Sequence, residues 1–64
     1  MKIKKSETYA EFIRRVRLTA KLTQSEFALR LGFNPSTISR WENGRSPVPH
    51  FSQRVIDEFA RKIK

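Results

Sequence analysis

Apolar residues recur at helical spacing in four stretches of this chain. Tyr9, Phe12, Ile13, Val16 and Ala20 share one face of a first helix. Phe27, Ala28 and Leu31 mark a second, and Ile38 with Trp41 a third. Phe51, Val55, Phe59 and Ile63 follow at steps of four, with Ile56 and Ala60 beside them. They predict a fourth helix with this set turned mainly into the core.

The polar residues between these stretches carry start and stop signals. Thr8-x-x-Glu11 and Thr23-x-x-Glu26 are capping boxes: the hydroxyl accepts from the glutamate amide, and the carboxylate reaches back to the threonine amide. Gly32 suits the left-handed position that ends a helix. Asn34 is a favoured N-cap, and Pro35 stands where a missing N–H costs nothing. Gly44 can close the third helix. Pro47 and Pro49 make Arg45 to His50 an extended loop. The predicted helices run from about Tyr9 to Ala20, over 24–31, over 35–43, and from Pro49 or His50 to Lys62. Lys21 complements the dipole of the first helix, and Leu22 is expected to drop into the core. The fold class is all-α: a small four-helix bundle over residues 8–64, its second and third helices joined as a helix-turn-helix. Residues 1–7 read as a basic N-terminal arm, expected to be flexible.

Composition narrows the function. Sixty-four residues at 38% hydrophobic make one domain with a limited core. Fourteen Lys and Arg against 6 Asp and Glu give a net charge of +8, which favours a polyanionic partner. The absence of cysteine removes disulfides and thiolate metal sites and suits a reducing cytosol. A single histidine, His50, with no acid pair beside it makes neither a triad nor a metal site, so it reads as a loop residue. No enzyme, metal or cofactor is expected. No signal-peptide run follows the basic start, and no segment approaches the length that spans a bilayer.

The third helix carries the chemistry. On a helical wheel Ile38 and Trp41 set the inner face, so Trp41 is expected in the core rather than stacked on a base. Ser36, Arg40 and Asn43 point nearly opposite, with Ser39 beside them and Thr37 and Glu42 on the flanks. Arg40 is the candidate base reader, because a guanidinium matches O6 and N7 of guanine. Ser36 and Ser39 can serve several bases, and Pro35 can lie against a thymine methyl. The plainer alternative for each is an ordinary solvated face. Gln24 sits in the first turn of the second helix, where its amide and side chain can both meet a phosphate.

Gln24, Ala28, Gly32, Ile38 and the run Arg40-Trp41-Glu42-Asn43-Gly44 resemble the lambda-repressor-like, Cro-type helix-turn-helix (XRE) family. The likeness is dense from about Phe12 to Pro49. It implies that Gln24 clamps the DNA backbone with Thr23 beside it, and that Asn43 and Arg45 hold phosphate at the far end of the reading helix; Thr37, on the flank of that helix, is a further candidate phosphate contact. It also implies that Glu42 pairs with Arg17 near a phosphate. Thr23, Gln24 and Asn43 can instead serve only as caps, and Glu42 can instead be merely exposed. The function implied is sequence-specific double-stranded DNA binding by a small cytoplasmic transcriptional regulator of bacterial or phage type. Such a protein is most often a repressor, bound as a homodimer to a near-palindromic operator. Many members dimerise through a fifth helix, whereas this chain is expected to stop after the fourth and to leave no room for a ligand-sensing domain. One rival is an antitoxin or partner-binding module on the same fold. Another is a membrane-active basic peptide at residues 49–64.

Overall fold

A computed structural model describes residues 1–63; Lys64, the last residue of the expected domain, lies outside the described residues. Four helices follow in order: α1 (Tyr9–Thr19), α2 (Gln24–Leu31), α3 (Pro35–Glu42) and α4 (His50–Lys62). No strand occurs among the described residues. The boundaries fall within a residue of those expected. Ala20 and Asn43, expected as final helical residues, are the C-caps of α1 and α3. His50, one of the two expected starts of the fourth helix, opens α4.

Local chemistry sets the ends. Both capping boxes form in full, with Thr8 and Thr23 accepting from the amides of Glu11 and Glu26 at 3.1 Å. Gly32 is left-handed at φ 82°, and the Phe33 amide closes α2 on the Ala28 carbonyl at 2.8 Å. α1 ends differently. Lys21 takes φ 60°, the Leu22 amide donates to the Arg17 carbonyl at 3.2 Å, and the Lys21 amide donates to the Leu18 carbonyl at 3.0 Å. That bond pair is a Schellman turn with lysine where glycine is usual.

The core is one cluster. Phe12, Ile13 and Val16 come from α1, Phe27 and Ala28 from α2, Ile38 and Trp41 from α3, and Ile56 and Ala60 from α4. Phe27 meets Phe59 edge-on, and Trp41 meets Phe33 edge-on, with centroids 5.6 and 5.0 Å apart. Leu22 packs partly buried against this cluster, as expected.

α4 is rotated from its expected setting. Ser52, Ile56 and Ala60 form its buried strip, and Phe51, expected in the core, is 74% exposed. At 100° per residue Phe51 lies roughly 140° from Ile56, so the two cannot both face inward. Two contacts choose between them. The small Ser52 and Ala60 let the α4 backbone approach the core, and the Tyr9 hydroxyl meets Gln53 O at 3.1 Å and Asp57 Oδ1 at 2.8 Å.

Residues 1–7, expected as a flexible arm, lie against the bundle. Arg15 grips Glu7 through Nε at 2.8 Å and Nη2 at 2.9 Å, and Nη2 also donates to Lys2 O at 2.7 Å. Lys4 N–H donates to Glu7 Oε1 at 3.0 Å, and Met1 packs partly buried on the core. The pull on this segment is therefore both charged and apolar.

Candidate nucleic-acid interface

Ile38 at 0% and Trp41 at 5% exposure anchor the inner face of α3. That anchoring fixes the opposite face outward: Pro35, Ser36, Arg40 and Asn43 are exposed, while Ser39 and Thr37 are half-exposed. Trp41 is thus committed to the core and unavailable for stacking on a base.

The two ends of α3 differ. Asn34 is the N-cap at φ −83°, but its side chain makes no capping bond. The amides of Thr37 and Ile38 are taken by Asn34 O at 3.0 and 3.1 Å, and Pro35 has no amide to satisfy. The exposed Asn34 side chain, expected to cap the helix, is instead left free of that bond beside Pro35 and Ser36. At the other end Gly44 is left-handed at φ 69°, and the Arg45 amide closes on Arg40 O at 2.9 Å. This second Schellman turn sets Arg45 directly past the helix. Asn43 Nδ2 approaches Ser39 Oγ at 3.5 Å, a long contact that leaves both polar groups with capacity for other partners.

A buried polar node holds the motif to α1. Glu42 has a side chain 3% exposed, and Arg17 one 11% exposed. Arg17 Nε donates to Glu42 Oε2 at 2.6 Å, Nη2 to Oε1 at 3.0 Å, and Nη1 to Leu22 O at 3.0 Å. Gln24 Nε2 adds a bond to Glu42 Oε1 at 3.1 Å. Glu42 therefore ties α1, α2 and α3 together.

The node engages two residues expected at phosphate. Arg17 commits three of its five N–H groups to Glu42 and Leu22, and this geometry presents it as a strut between α1 and α3. Gln24 places one of the two N–H groups of its side-chain amide on Glu42, which leaves the other for a phosphate clamp. Its backbone remains suited to that role. The capping box occupies the amides of Thr23 and Glu26, and those of Gln24 and Ser25 have no intrahelical acceptor in the first turn. Thr23 Oγ1 accepts from Glu26 and keeps its own proton to donate. No sequence signal marks the Gln24 rotamer, because it depends on a carboxylate 18 positions away.

Two adjoining elements of the motif offer outward polar groups. Thr23 stands at the start of α2, Pro35, Ser36 and Arg40 on α3, and Asn43 and Arg45 at and past its end, all of them exposed. Neither Arg40 nor Arg45 enters an ion pair among the described residues. No group of acids and histidines that could hold a metal occurs among the described residues, and no described helix is long and apolar enough to cross a membrane. A model of the helix-turn-helix domain family matches residues 8–63, taking in all four helices. No curated protein and no solved structure gives a significant match.

Proposed function

The chain belongs to the helix-turn-helix domain family, and on that premise we propose that it is a sequence-specific regulator of transcription that acts on double-stranded DNA in the cytoplasm. Membership implies a DNA partner. The proposed action goes further: a repressor, in the manner of Cro-type proteins of bacteria and phages, occupying a near-palindromic operator as a homodimer. The observation that carries this reading is the outward face of α3. It is held rigidly by Ile38 and Trp41 and offers Ser36, Arg40 and Asn43 to a groove.

In this reading α3 lies in the major groove. Arg40 reads a guanine edge, with Ser36, Ser39 and Pro35 as lesser contacts. The Gln24 amide, Thr23, Thr37, Asn43 and Arg45 hold phosphates and fix the register. Arg17 and Glu42 serve as the strut that keeps α3 at its angle. Two copies of charge +8 repel one another free in solution. They are brought together on DNA, where phosphates offset that charge and half-sites lie about one turn, roughly 34 Å, apart. Binding of polymerase to the same DNA is then blocked by occupancy, with no catalytic step.

Selection of bound duplexes from a random pool tests this reading. The expected result is a two-fold symmetric sequence whose half-sites are one turn apart. If each copy neutralises about four phosphates, the slope of log K against log salt should be near ~−7. An asymmetric single half-site would remove the dimer, and a slope shallower than about −2 would remove the phosphate contacts.

A further inference from the structure

α4 carries a second surface, apart from the residues assigned to DNA. Its rotation leaves Phe51 74% exposed, with Val55, Phe59 and Ile63 half-buried along the same side. With Leu31 at the end of α2, these residues line a groove of about 870 Å³. The rim is basic: Arg30 comes from α2, and Arg54 and Lys62 from α4. The one acid in the lining, Glu58, is held by Arg61 Nη2 at 2.6 Å. Gln24, Ser36, Arg40 and Arg45 are not part of this lining.

Charge and polarity select the occupant. DNA phosphates would suit the rim but would leave the aromatic and aliphatic floor without a partner. A second copy would set the same cations against Arg30, Arg54 and Lys62, which disfavours a self-pair. An apolar stripe flanked by carboxylates satisfies both floor and rim. The strip from Phe51 to Phe59 rises by eight residue steps of helix, about 12 Å, which matches two to three turns of a partner helix. We propose that the groove between α2 and α4 docks an acidic amphipathic helix of another protein. Its apolar residues lie on Val55, Phe59 and Ile63, and its carboxylates on Arg30, Arg54 and Lys62. The groove stands apart from the reading face of α3, so such a partner can engage the protein while it is on its operator.

The probe is a helical peptide of about 16 residues, with Leu on one stripe and Glu on both flanks. Its counterpart carries Lys in place of Glu. Each is titrated into the isotope-labelled full chain, with amide shifts giving the site and anisotropy the affinity. The acidic peptide should shift Leu31, Val55 and Ile63, and the lysine peptide should bind at least about tenfold more weakly. Phe51→Ser and Arg54→Glu should each weaken the acidic peptide about tenfold. Phe51→Ser should leave helicity and duplex affinity unchanged, since that side chain touches neither core nor DNA face. Equal binding of both peptides, or shifts confined to other surfaces, would overturn the proposal. So would concentration-dependent dimerisation abolished by Phe51→Ser, which would make a second copy the occupant, or a DNA duplex that shifts the groove amides. Loss of specific DNA binding with peptide binding intact would defeat only the regulator reading.

Discussion

The Arg17 guanidinium and the Glu42 carboxylate meet through two bonds, at 2.6 and 3.0 Å, between residues 25 positions apart. The pair fixes the last turn of α3 to the last turn of α1. With side chains only 11% and 3% exposed, neither group has water to replace a lost partner.

Glu42→Ala is therefore expected to destabilise the fold by about 3 kcal/mol, because it strands the Arg17 guanidinium and frees Gln24. In so small a domain that lowers Tm by more than roughly 10 °C. Arg17→Met combined with Glu42→Leu removes both charges and should cost less than Glu42→Ala alone. Thermal unfolding measures both. If Glu42→Ala kept the parent Tm and bound DNA more tightly, Glu42 would be a simple surface acid.

Lys21 points the other way, toward a gain. At φ 60° it holds a left-handed backbone that a side chain resists by roughly 1 kcal/mol or more, and Schellman turns favour glycine there. Lys21→Gly should raise stability by about 0.5–1 kcal/mol, net of the added entropy of the unfolded chain. A drop in Tm would show that the lysine side chain makes a compensating contact.

These residues also show what the sequence can and cannot reveal. Thr8 with Glu11 and Thr23 with Glu26 were legible because a capping box is complete within four residues. Gly32 and Pro35 were legible for the same reason. The setting of α4 was not: Phe51, Val55 and Phe59 are as regular as Ile56 and Ala60, and the choice rests on Tyr9 reaching Gln53 and Asp57, 44 and 48 positions away. Lys21 gave no sign of its backbone angle, since only the hydrogen bonds around it require one. The outward set of α3 follows from Ile38 and Trp41 by spacing alone. The link from Gln24 to Glu42 depends on a rotamer that no local pattern encodes.

Tyr9 offers a spectroscopic handle, being the single tyrosine. Burial first, and then the Asp57 carboxylate at 2.8 Å, push its phenol upward from the ordinary 10.0. A raised folded pKa means that the neutral phenol stabilises the fold. That contribution is whole below pH 10 and is lost as pH rises toward the folded value. Phenolate absorbance should therefore appear well above the ordinary midpoint and together with loss of helix. Tyr9→Phe should cost about 1 kcal/mol near neutral pH and flatten the alkaline decline. A phenol titrating at its ordinary value would show that Tyr9 does not bond to α4.

Glu7 gives the matching acid limb. The Arg15 guanidinium, and after it the Lys4 amide, hold its carboxyl down at about 2. Because the folded value is lowered, the hold on residues 1–7 is complete above the ordinary 4.5 and fades as pH falls toward 2. Amide resonances of Lys2 to Ser6 should move over that range while those of Phe12 and Ile13 stay in place. Glu7→Gln should loosen the segment at neutral pH with little change in Tm, since the pair ties residues 1–7 to α1 and joins no helix to another. Unchanged N-terminal resonances in Glu7→Gln would show that Met1 alone retains the segment.

Under the proposed function, Arg40 and Arg45 separate reading from holding. Arg40 is the only long hydrogen-bonding side chain on the outward face of α3, one turn after Ser36, and it enters no ion pair among the described residues. Arg45 lies past the helix, where its amide closes the last turn on Arg40 O at 2.9 Å. A side chain in the groove meets base edges, whereas one beyond the helix end meets the backbone. Arg40→Ala should cost about 1–3 kcal/mol on the selected operator and relax preference at one position per half-site, a G·C pair. On scrambled duplex the loss should be much smaller. Arg45→Ala should weaken both duplexes by similar amounts and make the salt slope shallower by about 1 per copy. Both variants are measured on both duplexes at one fixed salt, since affinities at different salt do not compare. Equal weakening of both duplexes by Arg40→Ala would make Arg40 a phosphate anchor. Base reading would then pass to Ser36, Ser39 or Pro35, and the unbonded Asn34 side chain beside them would be the next residue to test.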